Sequence, residues 1–390
     1  MSVRTTSLSL ALLLALPLTA AAQDADSMFS FSGFGTVGVV HSSEDQADFA
    51  TDFQPDGAGY SDSWSANPDS RLGFQVDARF SEKFSAVVQV MSQYDHEGSY
   101  EPDLTLAHVR YAFTPALSLR LGRLAPPTFM LSDYRKVGYA MPWVRPPVEV
   151  YNTSLAIDGA EIAYRFNVGT TAMTLQLVGG DTDAGVIKLD DTIGLVGRAE
   201  FGSSTIFAGY NRTTLSLEAD PSVEALLALY TQVAPQLASR FRFADNDVTF
   251  SSLGYAYDPG AWFARAEVTR LGTDDGMIAG TTNMYASAGW RVGAFTPYLT
   301  LGKVKVDSDT SVGAADPIGV VNAILAGHNE NRRSLTVGTR WDFRENFALK
   351  LEASHVDAGA GSNGGLTNLQ PGFERGGSYN LLSASVDFVF

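Results

Sequence analysis

Arg71-Leu72-Gly73-Phe74-Gln75-Val76-Asp77-Ala78-Arg79-Phe80 is the stretch that decides the fold class. Leu72, Phe74, Val76, Ala78 and Phe80 share one face, and Arg71, Gln75, Asp77 and Arg79 share the other. That is the period of two of a β-strand, not the helical period. The short Ser81-Glu82-Lys83 follows, and the alternation then resumes. Residues 379–390 obey the same rule, with Leu382, Ala384, Val386, Phe388 and Phe390 opposite Ser383, Ser385 and Asp387.

Working outward from this stretch, the rule predicts sixteen strands: 28–40, 71–80, 84–94, 104–113, 117–124, 158–166, 171–179, 192–201, 205–214, 247–257, 262–271, 284–292, 295–304, 334–343, 347–356 and 379–390. Connections alternate in length, from tight turns such as Gly293-Ala294 and Glu345-Asn346 to eight long polar loops at 41–70, 95–103, 125–157, 180–191, 215–246, 272–283, 305–333 and 357–378. Aromatic residues flank the tight turns, including Phe80 and Phe84, Phe113, Phe166, Phe201, Tyr257 and Trp262, Trp290 and Phe295, and Phe343 and Phe347. A soluble sandwich needs no such band, whereas a membrane barrel places an aromatic girdle at the interface. Hydrocarbon also forces closure, because an open sheet edge leaves backbone groups without partners.

The composition narrows the function classes. The 27 Lys and Arg against 43 Asp and Glu give a net charge of −16, which disfavours a nucleic-acid partner. The chain has no cysteine, which removes disulfide scaffolds, thiol nucleophiles and thiolate metal sites. Arg4, the apolar run Leu8 to Leu18 and Ala20-Ala21-Ala22 predict an export peptide over 1–22, leaving one barrel domain over 23–390. No later run is long enough for a membrane helix.

With its strand count, loop parity, girdle and terminal Phe390 on an alternating strand, the chain resembles the sixteen-stranded Gram-negative outer-membrane porins. The resemblance implies an all-β transmembrane antiparallel barrel with long extracellular loops, short periplasmic turns and the third loop, 125–157, folded into the lumen. It also implies a homotrimer in the outer membrane, with Phe390 read by the barrel-assembly machinery.

A barrel of this size holds water, so function turns on its inward face. Parity places Arg71, Arg79, Arg110, Arg120, Arg165, Arg198, Arg265, Arg291, Arg340 and Lys350 inward, with the acids Asp77, Glu161, Glu200, Glu267, Asp342, Glu352 and Asp387. Arg110 and Arg120 fall at similar heights on neighbouring strands, and either form a useful field or pair with Glu161 or Asp77. The loop carries Asp133, Tyr134, Arg135, Lys136, Arg145 and Glu149 among five prolines, a stiffened segment with one excess positive charge. These residues, with His108, Arg110, Arg120 and Glu161, are the expected pore constriction. A weak anion preference follows from the excess base, while Tyr134, Tyr139, Trp143 and Tyr151 equally suit a stacking surface for a sugar or a site for a small carboxylate.

Arg123, Arg212, Arg270 and Lys303 break the inward rule near the upper strand ends, and are either a belt for anionic lipopolysaccharide or turned inward by bulges. Gly33-Phe34-Gly35-Thr36-Val37-Gly38 fits a dinucleotide pattern, but it lies inside a strand with no helix after it. Its glycines are expected at a subunit contact or a bend. Residues 220–241 show helical spacing interrupted at Pro235. The pairs Asp245 with Asp247 and Asp307 with Asp309 read as solvated loop charge rather than calcium ligands. His41, His96, His108, His328 and His355 are scattered and form no pattern with a serine, so the sequence predicts no catalytic residue, cofactor or metal site. Passive diffusion of small hydrophilic solutes and ions is the expected function.

Overall fold

A computed structural model describes residues 27–152, 155–218, 221–241, 243–273 and 278–390. The expected export peptide lies outside them. Among the described residues sixteen long strands follow one another: β1 (Phe29–Ser42), β2 (Arg71–Arg79), β3 (Phe84–Gln93), β4 (Asp103–Ala112), β5 (Leu117–Leu124), β6 (Ile157–Val168), β7 (Thr171–Asp183), β8 (Ile187–Phe201), β9 (Ser204–Leu217), β10 (Asn246–Tyr257), β11 (Trp262–Thr273), β12 (Thr281–Trp290), β13 (Phe295–Val306), β14 (Arg332–Arg344), β15 (Phe347–Ala358) and β16 (Ser378–Val389). Each pairs antiparallel with the next, and β1 pairs with both β2 and β16, which closes the sheet into a barrel. No helix among the described residues is long and apolar enough to cross a membrane.

The alternation acts as expected. Leu121, Ile162, Leu195, Leu253, Leu301, Val337 and Leu351 point outward and are about half exposed, the mark of side chains that meet hydrocarbon. The girdle forms ring contacts at the short-turn rim, for example Phe80 on Phe84 at 5.3 Å and Phe295 stacked on Trp341 at 5.6 Å. One expected long connection is absent. Residues 180–191 extend β7 and β8 into a tall hairpin with a three-residue turn at 184–186 and irregular register at Gly180/Thr182 and Asp190/Ile193. Asp181, Asp183, Asp190 and Asp191 are exposed while Thr182 and Ile187 are buried against the cavity, so the acids hide the strand pattern from a reading of hydropathy although the backbone stays paired.

The glycines of β1 have a local task. Gly33 and Gly35 leave room for the rings of Phe390 and Phe388, which lie across them, so a Cβ on either would collide with a ring. The two strands share nine Cα partners from Phe34↔Val389 to Ser42↔Leu381, and Phe390 exchanges backbone hydrogen bonds with Gly33 at 2.8 and 3.0 Å. These glycines therefore serve barrel closure, not a bend.

At the long-loop rim the connections fold on one another. The expected helix is present as α1 (Pro221–Val233) and α2 (Pro235–Arg240), broken at Ala234–Pro235, and α3 (Val320–Gly327) packs against it through Tyr230, Leu237, Phe241, Val321 and Leu325. Tyr230 donates its hydroxyl to Asp316 Oδ1 at 2.5 Å. The first and last loops close the other side through Phe49 and Leu366, which pack with Tyr379 of β16.

Candidate functional site

The loop 125–157 enters the barrel and builds an apolar core there. Phe129, Met130, Leu131, Met141, Trp143, Val150 and Tyr151 pack against Val196, Phe207, Phe263, Tyr285 and Tyr298 of the wall, and Trp143 is 1% exposed. A loop buried this way must find partners for its backbone polar groups, since unmet ones cost about 1–3 kcal/mol each. The inward charges supply them. Arg198 donates to Met130 O at 2.9 Å, Arg340 to Met141 O at 3.0 Å and also to Tyr139 O, and Lys350 to Gly138 O at 2.7 Å and Trp143 O at 2.6 Å. Acids take the amides: Met130 N donates to Glu267 at 2.9 Å and Val144 N to Glu352 at 3.2 Å. The Trp143 indole donates to Ser287 at 3.0 Å and Thr300 at 3.1 Å.

Beneath the loop the charges are paired. Lys350, fully buried, meets Asp387 at 2.9 Å, and Asp387 accepts from Thr36 at 2.5 Å. Arg145 grips Asp69 in a bidentate pair at 2.7 and 2.5 Å and donates to Ser383 at 2.8 Å. Burial opposes the Arg145 charge, but Asp69 and Glu352 outweigh it and raise the guanidinium above its ordinary range. Glu149 accepts from Ser334 at 2.6 Å.

The loop thus covers the wall from β8 to β16 and leaves open the side formed by β2, β3 and β4. A cavity of about 950 Å³, lined on that side and also by residues of β7 to β12 such as Thr182, Thr192, Asn211 and Asn283, extends from Asn346 and Val389 at the short-turn rim to His328 and Glu330 at the long-loop rim. One stretch of its wall is a chain of polar groups, in which Thr105 donates to Gln89 at 2.9 Å, Gln89 to Gln75 at 2.8 Å and Gln75 to Asp77 at 2.9 Å, beside apolar Phe34, Met91, Leu106 and Phe250. Ser132, Asp133, Tyr134, Arg135 and Lys136 of the loop face it. A second cavity of about 170 Å³ is lined by Asp52, Phe53, Arg145 and Glu149 on the other side of the first loop's tip.

The constriction residues expected from sequence divide into three groups. Asp133, Tyr134, Arg135 and Lys136 line the larger cavity, whereas Arg145 and Glu149 lie at the smaller one and tie the loop to the wall. Arg110 and Arg120 are cross-strand partners, but Arg120 forms a bidentate pair with Glu161 at 2.9 and 2.5 Å, while Arg110 has no hydrogen bond or ion pair among the described residues. His108 is buried in the same wall with Nδ1 unpartnered. Asp52 is a charged residue of this region that sequence reading missed. It sits in the first loop and accepts a hydrogen bond from Lys136. An Asp in a long polar loop carries no sign that its tip reaches the lumen.

No bulge turns Arg123, Arg212 or Arg270 inward. Arg123 pairs on the outer surface with Asp158 at 2.8 Å and Arg212 with Asp247 at 3.2 Å. Asp307 is taken by Lys305 at 2.7 Å and Asp309 by Arg240 at 3.4 Å. Among the described residues no group of three or more His, Asp or Glu is placed to hold a metal.

No family model matches the sequence, and no curated protein matches it. Solved structures do. The chain is similar to an anion-selective porin from Comamonas acidovorans, at 14% identity and a TM-score of 0.58 over 93% of this chain and 99% of that one. It is similar to OmpF of Salmonella typhi in complex with daunomycin and to the outer membrane channel DcaP of Acinetobacter baumannii, each at 12% identity and a TM-score of 0.55 over 93% of this chain and 97% of the other. What is shared is the fold, a closed sixteen-stranded antiparallel barrel of the outer-membrane porin type.

Proposed function

We propose that this chain is a porin-type channel of a Gram-negative outer membrane, exported by its N-terminal peptide and passing small hydrophilic solutes and ions by diffusion. The observation that carries this reading is the cavity of about 950 Å³ that reaches from one rim to the other beside the anchored loop. A weak anion preference is supported by unpaired Arg110 and by Arg135 and Lys136 at the cavity wall. It accords with the similar Comamonas acidovorans protein, which is an anion-selective porin. The chain acts as a channel and not as an enzyme, and needs no cofactor. The one histidine–serine contact among the described residues, His41 with Ser63 at 3.2 Å, has no carboxylate bonded to the ring. A homotrimer, reading of Phe390 by the barrel-assembly machinery, and lipopolysaccharide held by outward Arg123, Arg212, Arg270 and Lys303 complete the proposal. A second reading is a solute-specific channel, favoured by the mixed amide and aromatic lining around Gln75, Gln89 and Tyr134.

Single-channel conductance in a planar bilayer, with the reversal potential under a KCl gradient, tests the proposal. Ohmic steps in multiples of three, reversing toward the chloride potential, are expected. Reversal toward potassium would overturn the anion preference, and absence of current would overturn the channel itself. Saturation by one solute would favour the specific channel.

A further inference from the structure

Where the first loop meets the third, Asp52 pairs with Lys136, and Arg135 and Arg71 lie near enough for their charges to act on its carboxyl. Arg71 and Gln93 are register partners on β2 and β3; Gln93 lines the larger cavity, and Arg71 Nε donates to Asp69 O at 3.3 Å. Lys136 Nζ reaches Gln93 Oε1 at 3.2 Å and donates to Asp52. Arg135 stacks on Phe129 at 5.1 Å, and one of its guanidinium nitrogens is buried without a hydrogen-bond partner. Burial works to raise the Asp52 carboxyl, but Lys136, Arg135 and Arg71 together outweigh it and hold it below its ordinary value. Asp133, the other acid of this stretch of the loop, is exposed.

The backbone that delivers Asp52 is strained. Asp52 and Phe53 are consecutive non-glycine residues at φ 49° and 58°, between Thr51 and Gln54, whose amide closes the turn on Thr51 O at 3.2 Å. Two central residues at positive φ are the sign pattern of a type I′ turn, which ordinarily takes Asn-Gly. Phenylalanine is poorly suited to it. The turn is held by Gln54, which donates to Asn67 O at 2.9 Å and Tyr94 O at 3.2 Å, and by Thr51, which donates to Pro68 O at 2.9 Å. Strain kept in place by surrounding bonds marks a position whose side chain is being used. Here it brings a carboxylate to the partition between the two cavities, since Phe53 lines both while Lys136 lines the larger and Asp52 the smaller.

We propose that Arg71, Arg135 and Lys136 form a binding site for the carboxylate of a permeating solute, and that Asp52 occupies this site as an internal substitute when no solute is bound. The incoming carboxylate exchanges with Asp52 on Lys136 and reaches the unpartnered nitrogen of Arg135. The rest of the solute lies along the amides and hydroxyls of Gln75, Gln89 and Thr105. No bond is made or broken, and the strained turn favours release of Asp52. This rests on the channel reading and names the solute chemistry it would select.

The test uses the full-length barrel in planar bilayers, with chloride carrying the current and succinate as blocker. Succinate is expected to reduce the wild-type current saturably. If Asp52 fills the site about nine-tenths of the time, Asp52→Asn lowers the half-blocking concentration about tenfold. Lys136→Gln raises it. Heat-modified migration in detergent gels verifies that each variant is a folded barrel. An equal half-blocking concentration in wild type and Asp52→Asn, with chloride current intact, overturns the site and leaves the channel standing. Absence of succinate block in both overturns it equally. No chloride current in either protein overturns the channel and the site together.

Discussion

Arg110 and Arg120 face each other across β4 and β5, yet their surroundings give them different work. Arg120 is tied to Glu161, which is 2% exposed, so Arg120→Ala strands a buried carboxylate and is expected to destabilise the barrel by about 3 kcal/mol. Arg110→Ala removes a charge that nothing in the described residues neutralises. It is expected to leave stability within about 0.5 kcal/mol while shifting the reversal potential toward potassium. Thermal unfolding in detergent and bilayer recordings separate the two. Lys136 adds a pH dependence. Burial lowers its ammonium to about 8 against the opposing pull of Asp52, so the positive charge is present below that pH and lost above it. Chloride preference is expected to fall between about pH 7 and pH 9, and Lys136→Gln to abolish the step. Inward parity was legible for Arg110 and Arg120 from alternation alone. The pairing with Glu161 was not, because parity offered Glu161 and Asp77 equally.

At the scale of elements, the loop 125–157 shows a limit of the same kind. The resemblance to porins implies that it enters the lumen, and its charges are expected to face the flow. In the fold its aromatic and apolar residues form a core against the wall, and inward Arg198, Arg340 and Lys350 hold its carbonyls instead of facing solute. Those contacts join residues far apart in the chain and impose no period on either partner. Trp143→Ala is expected to cost about 3–5 kcal/mol and to loosen the loop. Faster limited proteolysis within 125–157 and noisier open-channel current would register it, while unchanged cleavage would show that the polar anchors suffice. The tall hairpin of β7 and β8 is the reverse case, in which backbone pairing continues, with two breaks in register, beyond the point where the apolar alternation of the sequence ends.

For the whole molecule, closure is the decisive event, and it is made where the first and last strands meet. Gly35→Val forces a side chain into the ring of Phe388 and is expected to cost about 1–3 kcal/mol, read as a lower temperature for heat modification. Phe388→Ala in the same chain should recover part of the loss, which a double-mutant cycle measures. Gly197→Ala, whose added carbon meets only Leu175 at 3.5 Å, is the neutral control. By itself the sequence determined the barrel, because hydrocarbon on one side and water on the other sort each successive side chain and write a period of two into every spanning strand. Only the tertiary structure decided which lumenal charges remain free and which anchor the loop, how the first loop brings Asp52 to Lys136, and that β1 glycines seat the last strand's rings. Water in the lumen accepts a charge whether or not it is paired, so nothing local in the sequence distinguishes the two. The pairing depends on contacts that exist only once the barrel has closed.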